Sequence, residues 1–298
     1  MSRRVAITGA TGLIGVALAR ALRDNGVQVV TIGRGAEADV RWDFRSELRG
    51  TPAHAALEQL DGVVHLSGAP IGVRWTAARR REIWSSRVEA TELWCRALAD
   101  LRAPPRVLVS GSGIGVYGDR GDEVLTEDST LGAGFLPDLA RAWEGATRVA
   151  EQAGIRVAQT RMGIVLSRDG GALAKLLLPF RFGVGGRLGS GRQWMSWILL
   201  QDATRAIQFL LEGSLRGPVN LGAPNPVTNV EFTRVLGAVL SRPTVFPVPA
   251  VVLKAMFGEM ADETLLGSQR ALPQKLIGAG FVFDEDELRG AIIRALNG

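Results

Sequence analysis

The sequence predicts an α/β protein built on a doubly wound parallel sheet, with a smaller C-terminal substrate lobe. Two observations predict it. At the N-terminus a strand, a glycine turn, a helix and a second strand follow one another, from "RRVAITGATGLIG" to "VQVVTIGR", which is the order of a Rossmann-type dinucleotide unit. Further β-branched, apolar runs, "GVVHLSGA" and "RVLVSGSG", alternate with helical stretches. Repeated strand–helix units joined by short glycine-bearing loops give a parallel sheet with helices on both faces.

"RRVAIT", at the start of the chain, reads as a buried parallel strand. Gly9, Gly12 and Gly15 then recur at three-residue spacing, and Leu13, Ala17, Leu18, Ala21 and Leu22 behind them keep helical period until "DNG" stops the helix. The glycines allow a tight turn and let a pyrophosphate approach the backbone, where the helix N-terminus stabilises negative charge. Thr11, Leu13 and Ile14, lying within this turn, are counted as cofactor contacts with the glycines. At the end of the second strand an NAD-specific fold commonly places an acid about 20 residues past the glycines. Here that place holds Arg34, and residues 33 to 35 contain no acid. A guanidinium can hold a 2′-phosphate through two parallel hydrogen bonds, so the cofactor expected is NADP. The alternative is an arginine merely exposed at a strand end.

"DVRWDF" reads as a third strand, "GVVHLSGA" as a fourth and "RVLVSGSG" as a fifth. Between the last two, "TAARRREIWSSRVEATELWCRALADL" suits one long amphipathic helix. Cofactor loops lie at the C-terminal ends of such strands, which makes Leu66, Ser67 and Gly68 candidates for backbone contact. His65, inside a strand, reads as a core histidine with satisfied hydrogen bonds.

With 298 residues and 46% apolar composition the chain can form one large domain and an appendage. We place the dinucleotide unit at residues 1–165, with later strands returning from the C-terminal half, and the substrate lobe at 166–298. Cys95 is the one cysteine, and His54 and His65 are the two histidines. That leaves no internal disulfide and argues against a metal centre. Net charge is +5, with arginines scattered and no aromatic-interleaved basic run, so a nucleic-acid partner is not expected. No run approaches the roughly 18 apolar residues of a membrane span. The expectation is a cytoplasmic protein with a small-molecule substrate, no membrane partner, and apolar C-terminal helices able to close the lobe or form a homodimer.

"TGATGLIG", "WDF", "HLSGAP" and "VSGSGIGVYGD" resemble the extended short-chain dehydrogenase/reductase superfamily. "SRVEAT", "WEGAT", "GGALAKLLLPFRFGVGGRLGSGRQWMSW", "GPVNLGAPNPVTNVEF" and "LPQKLIGAGFVF" resemble its divergent branch of epimerase family proteins, related to NAD-dependent epimerase/dehydratases. The resemblance implies an NADP site lined by the glycine turn, Gly33 and Arg34, Asp43 at the adenine, Leu66 and Ser67, Glu82 and Arg87, and Val165. Glu82 and Arg87 also fit an exposed helical pair. The chain departs from the superfamily at its Tyr-x-x-x-Lys pair: Leu139 and Trp143 hold the nearest places in "FLPDLARAWEGATRVAEQ". The branch itself lacks the pair. It commonly reads Trp-Ile-His where this chain has Trp197, Ile198 and Leu199.

Chemistry must then rest on other groups. Ser112 ends the fifth strand, where the superfamily keeps a hydrogen-bonding serine, and Tyr117 comes after it in a glycine-rich loop at the same edge; both are the expected catalytic residues. A phenol needs a cation or desolvation to work as a base near neutral pH, and Arg161 is a candidate cation. Tyr117 reads equally as a loop anchor; Glu144 is a candidate for the missing acid or base, with an exposed helix carboxylate as the preferred reading. Arg161, with Arg187 and Arg192 of the glycine–arginine loop, is the expected substrate contact, since arginine binds phosphate or carboxylate in a bidentate way; the loop arginines also fit a solvated rim. The function expected is an NADP-dependent oxidoreductase or epimerase on a small substrate, of a kind that can be anionic. Its rival is a catalytically silent NADP-binding regulator.

Overall fold

The computed structural model describes residues 3–297. Seven parallel strands form the central sheet: β1 (Arg4–Thr8), β2 (Gln28–Gly33), β3 (Val40–Arg41), β4 (Gly62–His65), β5 (Val107–Gly113), β6 (Arg156–Met162) and β7 (Gly217–Leu221). Their order is β3-β2-β1-β4-β5-β6-β7. Chain order therefore reverses between β1 and β4, and ligands of such sheets bind outside the strand C-termini at that switch point.

Strand alternation explains the two covered faces. Val5 and Ile7 of β1, Val64 of β4 and Val109 of β5 pack under α1 (Leu13–Asp24) on one side. Ala6, Val63 and Leu108, their neighbours in sequence, pack on the other side with Trp94 and Leu98. Residues one apart on a strand point to opposite faces, and both faces of this sheet are buried, so its strands are apolar without alternation.

Two expected elements differ. The third strand is only Val40–Arg41; the chain leaves the sheet after Trp42, and Asp43 turns it by accepting the amides of Arg45 and Ser46. The long helix is two, α2 (Ala77–Ser85) and α3 (Val88–Ala99). The break falls where Ser86 and Arg87 turn to the loop after β4: Ser86 Oγ accepts the amide of Ala69 at 3.0 Å, and Arg87 Nη1 donates to the carbonyl of Ala69 at 2.9 Å. Side-chain bonds to that loop override the helical pattern.

Beyond β5 come α4 (Phe135–Gly145), α5 (Gly171–Arg181), α6 (Leu200–Glu212), α7 (Asn229–Leu240) and α8 (Leu288–Asn297). Leu173, Leu177, Trp197, Phe232, Leu236 and Ile292 form a separate core among α5, α7 and α8. Carboxylates aimed at backbone amides tie the C-terminal segments to the sheet. Asp202, fully buried, accepts the amides of Asp284 and Glu285, Glu127 those of Asn220 and Lys275, and Glu263 those of Phe135 and Leu136 at the start of α4. No described helix is long and apolar enough to cross a membrane.

Candidate active site

The glycine turn between β1 and α1 is a cradle that side chains would fill. Gly9 has φ +72°, and a Cβ there would stand 2.8 Å from the backbone carbon of Leu66. At Gly15 a Cβ would run into the carbonyl of Gly9. The N-cap of α1, Gly12, offers no side-chain bond, and no acid stands in the first turn. The leading amides are thus left to a ligand, with the positive end of the helix behind them.

Other expected contacts gather round this turn. Thr8 Oγ1 accepts the amides of Leu66 at 3.2 Å and Ser67 at 3.4 Å, which stitches the ends of β1 and β4. Leu13 packs beside Gly170 and Gly171, while Val165 and Ile14 meet the same core. Thr11 and Arg34 are exposed, Arg34 one residue past β2, where Gly33 pairs with Arg41. Asp43 is exposed; its Oδ1 caps its own turn, and the amides of Arg45 and Ser46 hold its pKa below the ordinary carboxylate value.

Arg87 and Glu82 are not an exposed pair. Arg87 is 8% exposed, and its guanidinium abuts Gly68, where a Cβ would stand 2.9 Å from Cζ. It lies 5.2 Å over the Trp143 ring, and its Nε has no hydrogen-bond partner. Burial, with repulsion from Arg79, pushes its pKa down to about 10. Glu82 is exposed and pairs with Arg79 at 2.6 Å.

On α4, Leu139 and Trp143 are buried as expected of apolar residues, and Trp143 Nε1 donates to Thr91 Oγ1 at 2.9 Å. The next residue overturns an expectation. The Glu144 side chain is 12% exposed, not a solvated carboxylate, and it takes both Arg161 Nε at 2.8 Å and Nη2 at 2.9 Å. Ser112, 6% exposed at the end of β5, donates its hydroxyl to Glu144 Oε1 at 2.7 Å. The register of β5 against β6 puts Ser112 beside Arg161 and so assembles the trio.

Tyr117 is fully buried, and this argues for the anchor over the catalyst. Its hydroxyl lies 2.7 Å from Asn220 Oδ1, 2.9 Å from the carbonyl of Thr126 and 3.0 Å from Arg161 Nη1. Burial raises its pKa, and Arg161 offsets only part of that rise. The expected proximity of Arg161 is present, but its guanidinium is spent on Glu144, Tyr117 and the carbonyl of Glu127, which leaves little for a substrate. Arg187 donates to the carbonyls of Gly189 and Ser190 in its own loop, and Arg192 is exposed; both fit the solvated rim. His65 is a core residue between Thr8 at 2.7 Å and Thr91 at 3.0 Å.

Comparison with known proteins places this geometry. The model of the NAD dependent epimerase/dehydratase family matches residues 5–222, and that of a domain of unknown function, DUF1731, matches residues 248–294. The chain belongs to the epimerase/dehydratase family. It is 44% identical over 293 residues to the epimerase family protein Mb2239 of Mycobacterium bovis, covering 97% of this chain and 96% of the relative. Identity to the epimerase family protein YfhF of Bacillus subtilis is 36%, over 97% of this chain and 96% of that one. The crystal structure of human epimerase family protein SDR39U1 with NADPH superposes with a TM-score of 0.90 at 32% identity, covering 99% of this chain and all of that one. Within the epimerase/dehydratase family fold, then, Leu139 and Trp143 of α4 are buried, and Glu144 beside them accepts from Ser112 of β5.

Proposed function

We propose that the chain is an NADP-dependent oxidoreductase or epimerase whose proton-handling group is Ser112 backed by Glu144. The observation that carries the cofactor half is Arg87, a buried guanidinium without a carboxylate partner, beside an uncapped glycine turn. In this reading Gly9, Thr11, Gly12, Leu13, Ile14 and Gly15 hold the pyrophosphate, and Arg34 the 2′-phosphate. Gly33 and Asp43 flank the adenosine. Leu66, Ser67, Gly68, Glu82, Arg87 and Val165 line the remainder. Human SDR39U1 with NADPH supports the cofactor choice. The substrate sits between the unit of residues 1–165 and the segment 166–298.

The bound nicotinamide supplies hydride acceptance and donation. The chain's own residues handle the proton. Ser112 already donates to Glu144, which leaves its oxygen to act as the acceptor for a substrate hydroxyl. As the hydroxyl proton moves to Ser112 Oγ, the serine proton moves to Glu144 Oε1; reduction runs the same path backwards. Arg161 acts by positioning Glu144.

The test is NADPH oxidation, monitored by absorbance, against a panel of small aldehydes, ketones and keto acids. A positioned acid or base is worth about 10²- to 10⁴-fold in rate. Ser112→Ala and Glu144→Gln should each lower turnover at least about a hundredfold with NADPH affinity retained. Unchanged turnover in both variants would mean that other groups handle the proton. A second reading, the silent NADP binder, is favoured by Leu139 and Trp143 filling the usual catalytic places. It prevails if the panel yields no oxidation while NADPH binds.

A further inference from the structure

Three cationic side chains converge on one short loop. Arg87 donates to the carbonyl of Ala69 at 2.9 Å, Arg79 to that of Pro70 at 2.5 Å, and Lys175 to that of Gly72 at 3.2 Å. These acceptors span four residues, a stretch at most about 11 Å long. The loop's glycines let the cations close in: a Cβ on Gly68 would meet Arg87 Cζ at 2.9 Å, and one on Gly72 would meet Lys175 Nζ at 3.2 Å. Against three positive charges, the paired carboxylate is that of Glu82, on Arg79.

Most donors of this cluster remain unspent. A guanidinium offers five N–H donors and an ammonium three. Arg87 uses one on the loop, and its Nε is buried without a partner although the residue is 8% exposed. Arg79 makes bonds through Nη1 and Nη2, and its Nε is likewise buried and unpartnered. Buried donors left unmade cost free energy comparable to a lost hydrogen bond, more so when charged. An anion seated against the outer N–H groups of these side chains would offset their mutual repulsion.

We propose that the loop Gly68–Gly72, with Arg79, Lys175 and the outer edge of Arg87, binds a phosphate or carboxylate group carried by the substrate. The proposal rests on the cofactor reading above, which gives the inner side of Arg87 to the dinucleotide. It also moves the anion contact from Arg187 and Arg192, which brace or rim their own loop, to the C-terminal edge of β4. Phosphate and carboxylate accept from guanidinium and ammonium in the same way, and Lys175 of α5 reaches this loop from the C-terminal half of the chain.

Calorimetry tests this with two probes, inorganic phosphate and malonate, titrated into apo protein and into protein saturated with NADPH. The expected result is binding of at least one probe to the NADPH-loaded protein. Arg79→Met and Lys175→Met should each weaken it about tenfold or more. Lys175→Met should leave NADPH affinity within about twofold, which separates this site from the cofactor site. Probe binding that NADPH abolishes would overturn the proposal, because the cations would then serve the cofactor's own phosphates. So would no probe binding in either state, or binding unaffected by both variants. If NADPH itself fails to bind, the cofactor reading falls alone: apo protein that binds a probe through Arg79 and Lys175 still supports the anion site, and apo protein that does not overturns it.

Discussion

Trp143 stands on α4 where a lysine ammonium would reach a dinucleotide, and Arg87 lies 5.2 Å over its ring. A cation therefore still faces this place, but it comes from the α2–α3 break. Tyr117, the one tyrosine of the chain, is buried, and we propose it as an anchor in place of a substitute for the missing phenol. Its hydroxyl joins Asn220 of β7 to Arg161 of β6, deep in the molecule. Tyr117→Phe should cost about 1–3 kcal/mol in urea unfolding, since it strips a partner from Asn220 and from a buried arginine. Turnover per folded molecule should be nearly unchanged; stability intact with activity lost would return Tyr117 to catalysis. His65 gives a pH signature. Burial holds its pKa down at about 3, against 6.5 ordinarily. The unfolded ring binds a proton between those values and the folded ring does not, so its contribution is present above about pH 6.5 and lost as pH falls toward 3, by up to a few kcal/mol. Melting temperatures at pH 4.5 and 7.5 should differ by less in His65→Asn than in the unmodified protein; equal differences would refute this assignment.

At the scale of elements, glycine spacing and apolar period make β1, α1, β2, β4 and β5 legible, because those signals are local. The α2–α3 break is not legible, because it is set by bonds from Ser86 and Arg87 to a loop seventeen or more residues earlier in the chain. The third strand is shorter than its sequence suggests because apolar Val40 and Trp42 serve the core while only Val40 and Arg41 pair. Glu144 is visible as an acid on α4, yet its burial depends on β5 and β6 lying side by side, which spacing does not reveal. Glu263 and Asp202, which cap distant amides, leave no sequence signal either. The turn into α1 has the sharpest local prediction. Gly15→Ala places a methyl against the carbonyl of Gly9. The helix start must shift, so NADPH affinity should fall at least about tenfold in titrations, with far-ultraviolet dichroism little changed. Unaltered affinity would mean that the pyrophosphate lies elsewhere.

Across the whole molecule, the order β3-β2-β1-β4-β5-β6-β7 brings the glycine turn, Leu66 to Gly68, Arg87 and the Ser112–Glu144 pair to one edge. Carboxylates on backbone amides, Glu127 to Asn220 and Lys275 and Glu263 to Phe135 and Leu136, join the C-terminal segments to the rest of the chain. In the proposed function this edge takes NADP, and the arginine after β2 reads the 2′-phosphate. Calorimetric titration of the unmodified protein with NADPH and with NADH decides the matter. NADPH should bind at least about tenfold tighter, roughly 1.4 kcal/mol, and Arg34→Ala should erase the difference while leaving NADH affinity near its starting value. Equal affinities in the unmodified protein, or a preference that survives Arg34→Ala, would contradict it.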